Sequence, residues 1–596
     1  MGDFLMTRWG KTIDPEHVLE EYPRPGMKRD SYICLNGTWD YAMTESEAFP
    51  EKYEGRILVP FSPEAPLSGV NRMLLPGQFL HYRREFSLQR PESGNRLLLH
   101  FGAVDQNCEV YLNGCRVGEH AGGYWKFSFD VTPFIREGEN LLQVVVWDLT
   151  DTSYHMRGKQ SLERGGMWYT PQSGIWQSVW MEYVPDRYIA ELKLDPDPDA
   201  ECIRIRVMMN EWERQPVKLT VCLRGEVILQ ADGMTGDTCR IRIPSCELWT
   251  PKKPVLYDLV VRAGEDEVAS YFAMRKITLE KDQKGIFRMF LNNRPYYQNG
   301  VLDQGYYPDG LYTAPSDEAM VNDILQMKAL GFNMLRKHVK IEPDRWYYHC
   351  DRLGMLVWQD MINGGEWVRG RIETKISSLA QNAGKAPRDS NLRTFLRDNE
   401  SGREEFVRGV EQTIRQLYNY PSIVLWVLFN EGWGQFEAVK ITELIRKIDP
   451  SRLVDQASGW YDMGGGDVSS IHNYFVPLKV IPQPGRCVAV TEFGGFSWHT
   501  PDHSWAAGEF GYRKYHSSEE LTDAIERLWK RDVLSNIKNG LSASVYTEVS
   551  DVEDETNGLL TYDREIVKVN TGKILQINRQ LAEIFETETG ESGRKG

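Results

Sequence analysis

The stretch SIVLWVLFNEGWG, residues 422–434, decides how the C-terminal half of this chain folds. Its apolar run is typical of a parallel strand that is buried on both faces. The run ends abruptly in Asn430 and Glu431. An acidic side chain that closes a buried strand is costly unless it has a function. A second stretch, CVAVTEFGG at residues 487–495, repeats the pattern and ends its apolar run at Glu492.

Around these two stretches, short apolar runs alternate with helical segments from about residue 275 onward. Residues 320–330, which follow a capping Ser316, show apolar side chains at helical spacing, as do 405–417 and 436–448. Eight strands with helices between them predict a (β/α)8 TIM barrel over residues 275–596. The strand candidates are Tyr296–Val301, Asn333–His338, Met355–Asp360, Ile423–Asn430, Leu453–Ala457, Ser469–Tyr474, Val488–Glu492 and Ala543–Glu548.

The N-terminal half has a different pattern, with many short apolar strands separated by Gly, Pro and Asn. Residues 1–183 are predicted to form a jelly-roll β-sandwich, with a tight hairpin turn at Asn113-Gly114. Residues 184–274 alternate polar and apolar side chains in about seven short strands, which is typical of an immunoglobulin-like β-sandwich. We therefore expect three domains.

Composition excludes several classes of partner. The net charge of −15 disfavours binding to nucleic acid, since both molecules would be negative. No apolar run approaches the roughly 18–20 residues of a membrane span, and the first residues lack the apolar core of a secretory signal. The nine cysteines form no C-x-x-C pair, so we expect free thiols in a reducing, cytoplasmic compartment and no zinc site.

The chemistry of the barrel is expected at the C-terminal ends of its strands. Glu431 closes the fourth strand candidate and Glu492 the seventh, so the two carboxylates should meet across the barrel mouth. Glycoside hydrolysis uses such a pair, one as the proton donor to the leaving oxygen and one as the nucleophile, about 5–5.5 Å apart in retaining enzymes. This route needs no cofactor and no metal.

Motifs along nearly the whole chain then indicate a family. They include LNGTWDY at 35–41, VYLNG at 110–114, GGYWKFSFDVTPFI at 122–135 and YTPQSGIWQSVWME at 169–182. With the Asn-Glu and Thr-Glu-Phe-Gly strand ends, the chain resembles glycoside hydrolase family 2, which contains β-galactosidases, β-glucuronidases and β-mannosidases. The resemblance implies that Glu431 is the acid/base and Glu492 the nucleophile. It also implies that Asn430 holds the sugar 2-hydroxyl and that Tyr474 donates a hydrogen bond to the nucleophile.

Further residues are expected to bind substrate or to support the nucleophile. Arg336 and His338 lie in MLRKHVK, an altered form of a family motif, and His472 precedes Tyr474 in a segment that resembles the family's sixth strand. The remaining candidates come from strand ends and the loops after them, and they are Asp303, Asp360, Tyr546 and Glu548. The acidic residues after the eighth strand, Asp551, Glu553, Asp554 and Glu555, are predicted to form a solvated loop. The long connection 363–402 is predicted to be an active-site wall or a disordered segment.

The predicted function is that of a retaining exo-glycosidase, with β-galactosides as the first substrate and other sugars open: β-mannosides, α-L-arabinosides and galactofuranosides. The Asn-x-Lys signature of β-glucuronidases should follow the eighth strand, yet the only such triplet, Asn536-Ile537-Lys538, precedes it. A carbohydrate-binding protein without catalysis is the alternative from another class. The expected partner is a carbohydrate substrate, and the resemblance is compatible with a homo-oligomer.

Overall fold

The structure is a computed structural model that describes residues 4–366, 387–505 and 508–590. The chain forms a large β-sandwich, a smaller β-sandwich and a parallel barrel, in that order. No helix among the described residues is long and apolar enough to cross a lipid bilayer. Part of the long connection 363–402, namely residues 367–386, lies outside the described residues.

The N-terminal sandwich packs two antiparallel sheets, ordered β1-β12-β5-β9 and β3-β2-β4-β10-β7-β8, around buried side chains such as Trp39 and Leu99. Its strands are β1 (Tyr32–Cys34), β2 (Gly37–Thr44), β3 (Gly55–Val59), β4 (Phe79–Leu88), β5 (Asn95–Phe101), β6 (Val104–Asp105), β7 (Asn107–Leu112), β8 (Cys115–Ala121), β9 (Phe127–Asp130), β10 (Gly138–Trp147), β11 (Gly174–Ile175) and β12 (Val179–Pro185). Asn113 and Gly114 join β7 to β8 with φ of 54° and 80°, which confirms the tight turn.

The second sandwich has seven strands, in sheets ordered β13-β14-β17 and β16-β15-β18-β19. They are β13 (Ile189–Asp197), β14 (Cys202–Met209), β15 (Pro216–Leu223), β16 (Glu226–Met234), β17 (Thr238–Arg242), β18 (Tyr257–Ala263) and β19 (Asp266–Phe272). Alternate apolar residues of both sheets form its core. This is the immunoglobulin-like arrangement that the alternation predicted.

A small antiparallel sheet, β20 (Ile277–Lys281), β21 (Phe287–Leu291) and β22 (Arg294–Pro295), precedes the barrel. The eight barrel strands are parallel, and their ends differ from the predicted ends by at most three residues. They are β23 (Gln298–Asp303), β24 (Met334–Lys337), β25 (Leu356–Asp360), β26 (Ile423–Val427), β27 (Leu453–Asp455), β28 (Val468–Asn473), β29 (Cys487–Gly494) and β32 (Leu541–Thr547). Two short strands, β30 (Phe496–Ser497) and β31 (Arg513–Lys514), lie between the last two.

The sheet order β27-β26-β25-β24-β23-β32-β29-β28 leaves β27 and β28 as the two strands that close the barrel. Side chains join them, since Ser470 Oγ donates to Asp455 Oδ2 at 2.6 Å and Asp467 accepts from Val454 N at 2.8 Å. Fully buried side chains, among them Trp358 inside the barrel, fill the interior. Each such side chain contributes about 1.5–3 kcal/mol by its removal from water.

The described helices pack around the barrel: α1 (Asp317–Ala329), α2 (Asp344–Leu353), α3 (Glu400–Leu417), α4 (Ala438–Ile448), α5 (Ser518–Leu528) and α6 (Thr571–Thr589). Ser316 caps α1 by accepting from Ala319 N, as predicted. The expectation of a helix after every strand is wrong at two places, because residues 456–467 and 474–486 contain none. The first contains Gly464–Gly466 and the second Pro477, Pro482 and Pro484, and glycine and proline both disfavour helices.

Candidate active site

Glu431 and Glu492 meet at the barrel mouth. One oxygen of each carboxylate and a ring nitrogen of His472 all lie within 4.8 Å of one another. Both glutamates are buried, with 7% and 5% of their surface exposed. The separation fits the short carboxylate spacing of retaining glycosidases and is well below the ~6.5–9.5 Å of inverting ones.

The backbone at Glu431 turns sharply after strand β26. Glu431 has φ of 52°, in the left-handed region that side chains rarely adopt, and Gly432 follows with φ of 77°. The Glu431 amide donates to the Ser458 carbonyl at 2.9 Å, which holds this turn against the segment after β27. Strained backbone of this kind persists where the surroundings fix it, and it is common at functional sites.

His472, expected to bind substrate, lies between the two glutamates. Its Nδ1 is 2.8 Å from Glu431 Oε1 and 3.5 Å from Glu492 Oε2, and its Nε2 is 2.9 Å from Ser458 Oγ. The Ser458 hydroxyl donates to Thr491 Oγ1 at 2.9 Å, so it is left to accept from Nε2–H of His472. Nδ1 of the same ring faces both carboxylates, and its hydrogen bond with Glu431 acts to lower the pKa of that acid.

Arg336 and Tyr474 each donate a hydrogen bond to a different carboxylate oxygen of Glu492. Arg336 Nη1 donates to Oε1 at 3.0 Å, and the Tyr474 hydroxyl donates to Oε2 at 2.5 Å. Arg336 also donates to both oxygens of Asp360, at 3.0 and 2.9 Å, and to Asn430 Oδ1 at 2.8 Å. One guanidinium therefore connects the ends of four barrel strands and fixes the nucleophile candidate.

These contacts separate the pKa values of the two glutamates. Burial raises the pKa of Glu431, and the negative charge of Glu492 raises it further, although the hydrogen bond from His472 opposes both. Burial also acts to raise the pKa of Glu492, but His472, Arg336 and the Tyr474 hydroxyl together outweigh it and lower the pKa. Such a pair holds one protonated acid beside one ionised carboxylate, which is the division of roles that double displacement requires.

A second group of polar side chains lies beside the pair. His338 Nδ1 is 2.9 Å from Gln304 Oε1, and Gln304 Nε2 donates to Glu548 Oε2 at 2.7 Å. His338 Nε2 and Glu548 Oε1 are buried and have no hydrogen-bond partner among the described residues. Nε2 lies 3.8 Å from Asp360 and from Glu492. Burial lowers the pKa of His338 well below its usual range and raises that of Glu548 well above it, so both are neutral groups that can bind hydroxyls.

Asp303 and Tyr546, which were expected to contact substrate, make other contacts in the structure. The Asp303 carboxylate accepts from Gly305 N at 2.9 Å and from the buried Lys337 ammonium at 2.7 Å, so both oxygens are engaged. The Tyr546 ring packs against Phe493 and Trp529 and is 1% exposed, so the prediction for this residue is wrong. Side chains alternate along a strand, and β32 turns Tyr546 toward the helices.

Asp360 and Thr547 also differ from expectation. Both Asp360 oxygens pair with Arg336, so this residue positions the guanidinium, and burial raises its pKa to about 6 despite that cation. Thr547, which was not predicted, has its hydroxyl 3.2 Å from the Tyr474 hydroxyl. The strand alternation that turns Tyr546 outward could have identified it.

Three of the four acidic residues after β32 are buried, which corrects the prediction of a solvated loop, and only Asp554 among them is partly exposed. Asp551, Glu553 and Glu555 are each at most 2% exposed. Asp551 pairs with the Lys568 ammonium at 2.7 Å, Glu553 accepts from Thr170 N at 3.0 Å, and Glu555 accepts from the Tyr169 hydroxyl. Two of these partners belong to the N-terminal sandwich, which no local reading of the loop could indicate.

The segment 154–170 of that sandwich covers one side of the barrel mouth. Arg157 N donates to Asn363 O at 3.1 Å, and the rings of Trp168 and Trp433 lie 5.2 Å apart. Lys159, in the same segment, is 5% exposed and faces Glu555 at 3.8 Å. Sequence reasoning missed this wall, although the 26 residues between β10 and β11 (148–173) are long for a loop within a sandwich.

Glu431, His472 and Glu492 also have the donor atoms and spacing that could hold a cation. Arg336 already places a positive charge 3.0 Å from Glu492, and it would repel a divalent ion there. The hydrogen bond between His472 and Glu431 already engages two of the three groups. The expectation that no metal is needed stays a prediction.

Comparison with known proteins agrees with this geometry. Residues 72–185 match the glycosyl hydrolases family 2 sugar binding domain, and residues 284–475 match the family 2 TIM barrel domain. A putative beta-glucuronidase of Formosa agariphila is 27% identical over 62% of this chain and 43% of its own length. A beta-galactosidase of Leuconostoc mesenteroides is 25% identical over 62% of this chain and 34% of its own. The matched region thus spans less than half the length of these relatives.

Solved structures show the same fold. A beta-glucuronidase from an uncultured Clostridium superposes with a TM-score of 0.72 at 18% identity, covering 94% of this chain and 99% of its own. A family 2 beta-galacturonidase of Eisenbergiella tayi, bound to galacturonate, gives 0.70 at 18% identity, with 94% and 99% covered. With both family domains matched over about half of the chain and the carboxylate pair in place, the protein belongs to glycoside hydrolase family 2.

Proposed function

We propose that this protein is a retaining exo-glycosidase that removes terminal sugars by double displacement. The observation that carries the proposal is the carboxylate pair, whose oxygens lie within 4.8 Å and whose pKa values shift in opposite directions. The wall formed by 154–170 narrows the mouth on one side, which favours attack at a chain end.

In the first step Glu492 attacks the anomeric carbon, and the bond from that carbon to the leaving oxygen breaks. Protonated Glu431 donates its proton to the leaving oxygen, and a covalent glycosyl–enzyme forms. In the second step Glu431 takes a proton from water, the water oxygen attacks the same carbon, and the bond to Glu492 breaks. The free sugar is released and Glu431 is protonated again.

During both steps the protein must keep the charge of Glu492 in place. Arg336 and the Tyr474 hydroxyl stabilise its carboxylate before attack and again when it leaves. Donors that are fixed in advance act strongly in a buried site, because they do not have to reorganise during the reaction.

For the sugar we propose a neutral monosaccharide unit, with β-galactosides as the first substrate and β-mannosides, α-L-arabinosides and galactofuranosides as alternatives. Relatives named beta-galactosidase support the first. Others are named for uronides. The triplet Asn536-Ile537-Lys538 lies in a 3-10 helix before β32, which supports a substrate other than a glucuronide. We also propose a reducing, cytoplasmic location, since all nine cysteines are free.

The test is turnover of a panel of para-nitrophenyl α- and β-glycosides, pyranosides and furanosides, by the parent protein, Glu431→Ala and Glu492→Gln. We expect turnover of one sugar by the parent and none by Glu492→Gln. We expect a loss of about 10²–10⁴-fold for Glu431→Ala, the usual range for a general acid. Sugar binding without turnover by the parent would instead indicate a carbohydrate-binding protein.

A further inference from the structure

Lys159 is a buried cation whose ammonium has no hydrogen bond to another described residue. Its side chain is 5% exposed, yet the nearest carboxylate oxygen, Glu555 Oε2, is 3.8 Å from Nζ. No acceptor among the described residues lies within hydrogen-bond distance of this ammonium. Its other close neighbour is the Tyr169 ring, whose centroid is 5.4 Å away. Burying an ammonium is costly unless partners occupy its donors, and here the donors remain open to a ligand.

The backbone around Lys159 is fixed in position. Tyr169 N donates to the Lys159 carbonyl at 2.8 Å, and Gly158 N donates to the Tyr124 hydroxyl at 2.8 Å. Gly158 packs so closely that an added Cβ would lie 3.0 Å from the Val339 carbonyl, directly after His338. Lys159 is therefore held beside the end of β24, at the barrel mouth.

The positive charge of Lys159 influences the pKa values of residues at the barrel mouth. After the larger effect of burial, it contributes to the pKa shifts of Glu431, Glu492, His338 and Glu548. Arg336, a second cation at the mouth, already donates to Glu492, Asp360, Asn430 and the Thr491 carbonyl. Lys159 is the one of these two cations whose donors remain open.

We propose that Lys159 is a specificity-determining residue, and that its ammonium donates hydrogen bonds to hydroxyls of the neutral sugar held at the carboxylate pair. His338 Nε2 and Glu548 Oε1, both buried without partners, complete this hydroxyl-binding group. The inference rests on the proposed function and extends it, because it assigns part of the sugar site to the N-terminal sandwich.

The surroundings of Lys159 favour a neutral sugar over a uronate. The Glu555 carboxylate, 3.8 Å from Nζ, already balances the positive charge. A uronate would add a second negative charge beside Glu555 and near Glu492, and Arg336 is already engaged by two carboxylates. Like charges placed together in a buried site are strongly unfavourable.

The test compares Lys159→Met, Lys159→Arg and the parent on the para-nitrophenyl glycoside that the parent hydrolyses fastest, on its 3-, 4- and 6-deoxy analogues, and on the matching uronide. Lys126→Met is the matched control, since Lys126 also joins the sandwich to the barrel, but its ammonium is already paired with Asp344 at 2.6 Å. We expect Lys159→Met to lower kcat/KM on the full sugar by about 10- to 100-fold, the effect of one hydrogen bond from a charged donor.

The decisive readout is discrimination between substrates. The parent should discriminate against one deoxy analogue, and in Lys159→Met that discrimination should fall to within about threefold, because the missing hydroxyl no longer has a partner to lose. Lys159→Arg should restore part of it, and Lys126→Met should match the parent.

Three outcomes would overturn the inference. A uniform loss on every substrate in Lys159→Met would assign Lys159 a structural role, and the fastest turnover on the uronide would exclude the neutral sugar. If Lys159→Met does not fold, the test uses the parent and Lys159→Arg alone. Equal turnover of all deoxy analogues by the parent would then overturn the inference. A parent inactive on the whole panel contradicts the proposed function itself, together with this extension of it.

Discussion

Replacing Tyr474 with Phe removes the hydrogen bond to the candidate nucleophile Glu492, together with the longer contact to the Thr547 hydroxyl at 3.2 Å. The Tyr474 ring stacks on Tyr512 at 3.8 Å between centroids, and Phe keeps that contact. The hydroxyl donates to Glu492 Oε2 at 2.5 Å, and burial keeps the pKa of Tyr474 well above its usual range, so the donor is protonated throughout the working pH range. The variant therefore isolates one contribution to the lowered pKa of Glu492.

The size of the effect follows from the charge on Glu492. A hydrogen bond to a charged group contributes about 1.5–3 kcal/mol, and one pKa unit corresponds to about 1.4 kcal/mol. Because Arg336 and His472 remain, we expect the lower end, a rise of about one unit in the pKa of Glu492. Glu492 must be ionised to attack, so activity is lost as the pH falls through its pKa, and the acidic limb of the profile should move up by about one unit.

The assay is kcat/KM against pH on the best aryl glycoside, which reports the apparent pKa values of the coupled pair in the free enzyme. The matched control is Tyr546→Phe, another buried tyrosine at a barrel strand end, whose ring faces Trp529 and not the carboxylates. Its acidic limb should stay in place. A Tyr474→Phe profile that drops equally at every pH, with an unmoved acidic limb, would refute the assignment of Tyr474 to the charge state of Glu492.

Two further substitutions test the framework of the site. Arg336→Met leaves Asp360 and Glu492 buried without their cation, so the free energy of unfolding should fall by about 3–5 kcal/mol, measured by chemical denaturation. A variant as stable as the parent would show that these two ion pairs do not stabilise the fold. Gly459→Ala places a Cβ 2.6 Å from His472 Cγ at φ of 88°, so it should cost about 1–3 kcal/mol and displace the imidazole. Because the His472 hydrogen bond lowers the pKa of Glu431, its loss should move the alkaline limb of the pH profile upward, and an unchanged alkaline limb would show that the bond does not matter.

Most of the fold could be predicted from local sequence patterns. The barrel strands could be found from the sequence because a parallel strand buried on both faces must be apolar along its whole length. The two glutamates could be found for the same reason, since each is an acidic residue that ends such an apolar run. Helices were overpredicted at 456–467 and 474–486, where glycines and prolines were given too little weight.

Tertiary structure decided the surroundings of the carboxylate pair. The burial of Asp551, Glu553 and Glu555 depends on Lys568 and on the N-terminal sandwich, and a charge run by itself cannot show whether such partners exist. The position of His472 between two glutamates depends on the closure of the barrel, which brings β26, β28 and β29 together at one end.

The sequence by itself determined the architecture, the carboxylate pair at two strand ends and the family, because each of them follows from short stretches whose pattern has one physical cause. It did not indicate that Lys159 lies at the barrel mouth. That residue lies 272 positions before Glu431, and only the docking of the sandwich onto the barrel brings its charge to the mouth. Contacts between domains depend on shape and packing, which no local pattern encodes.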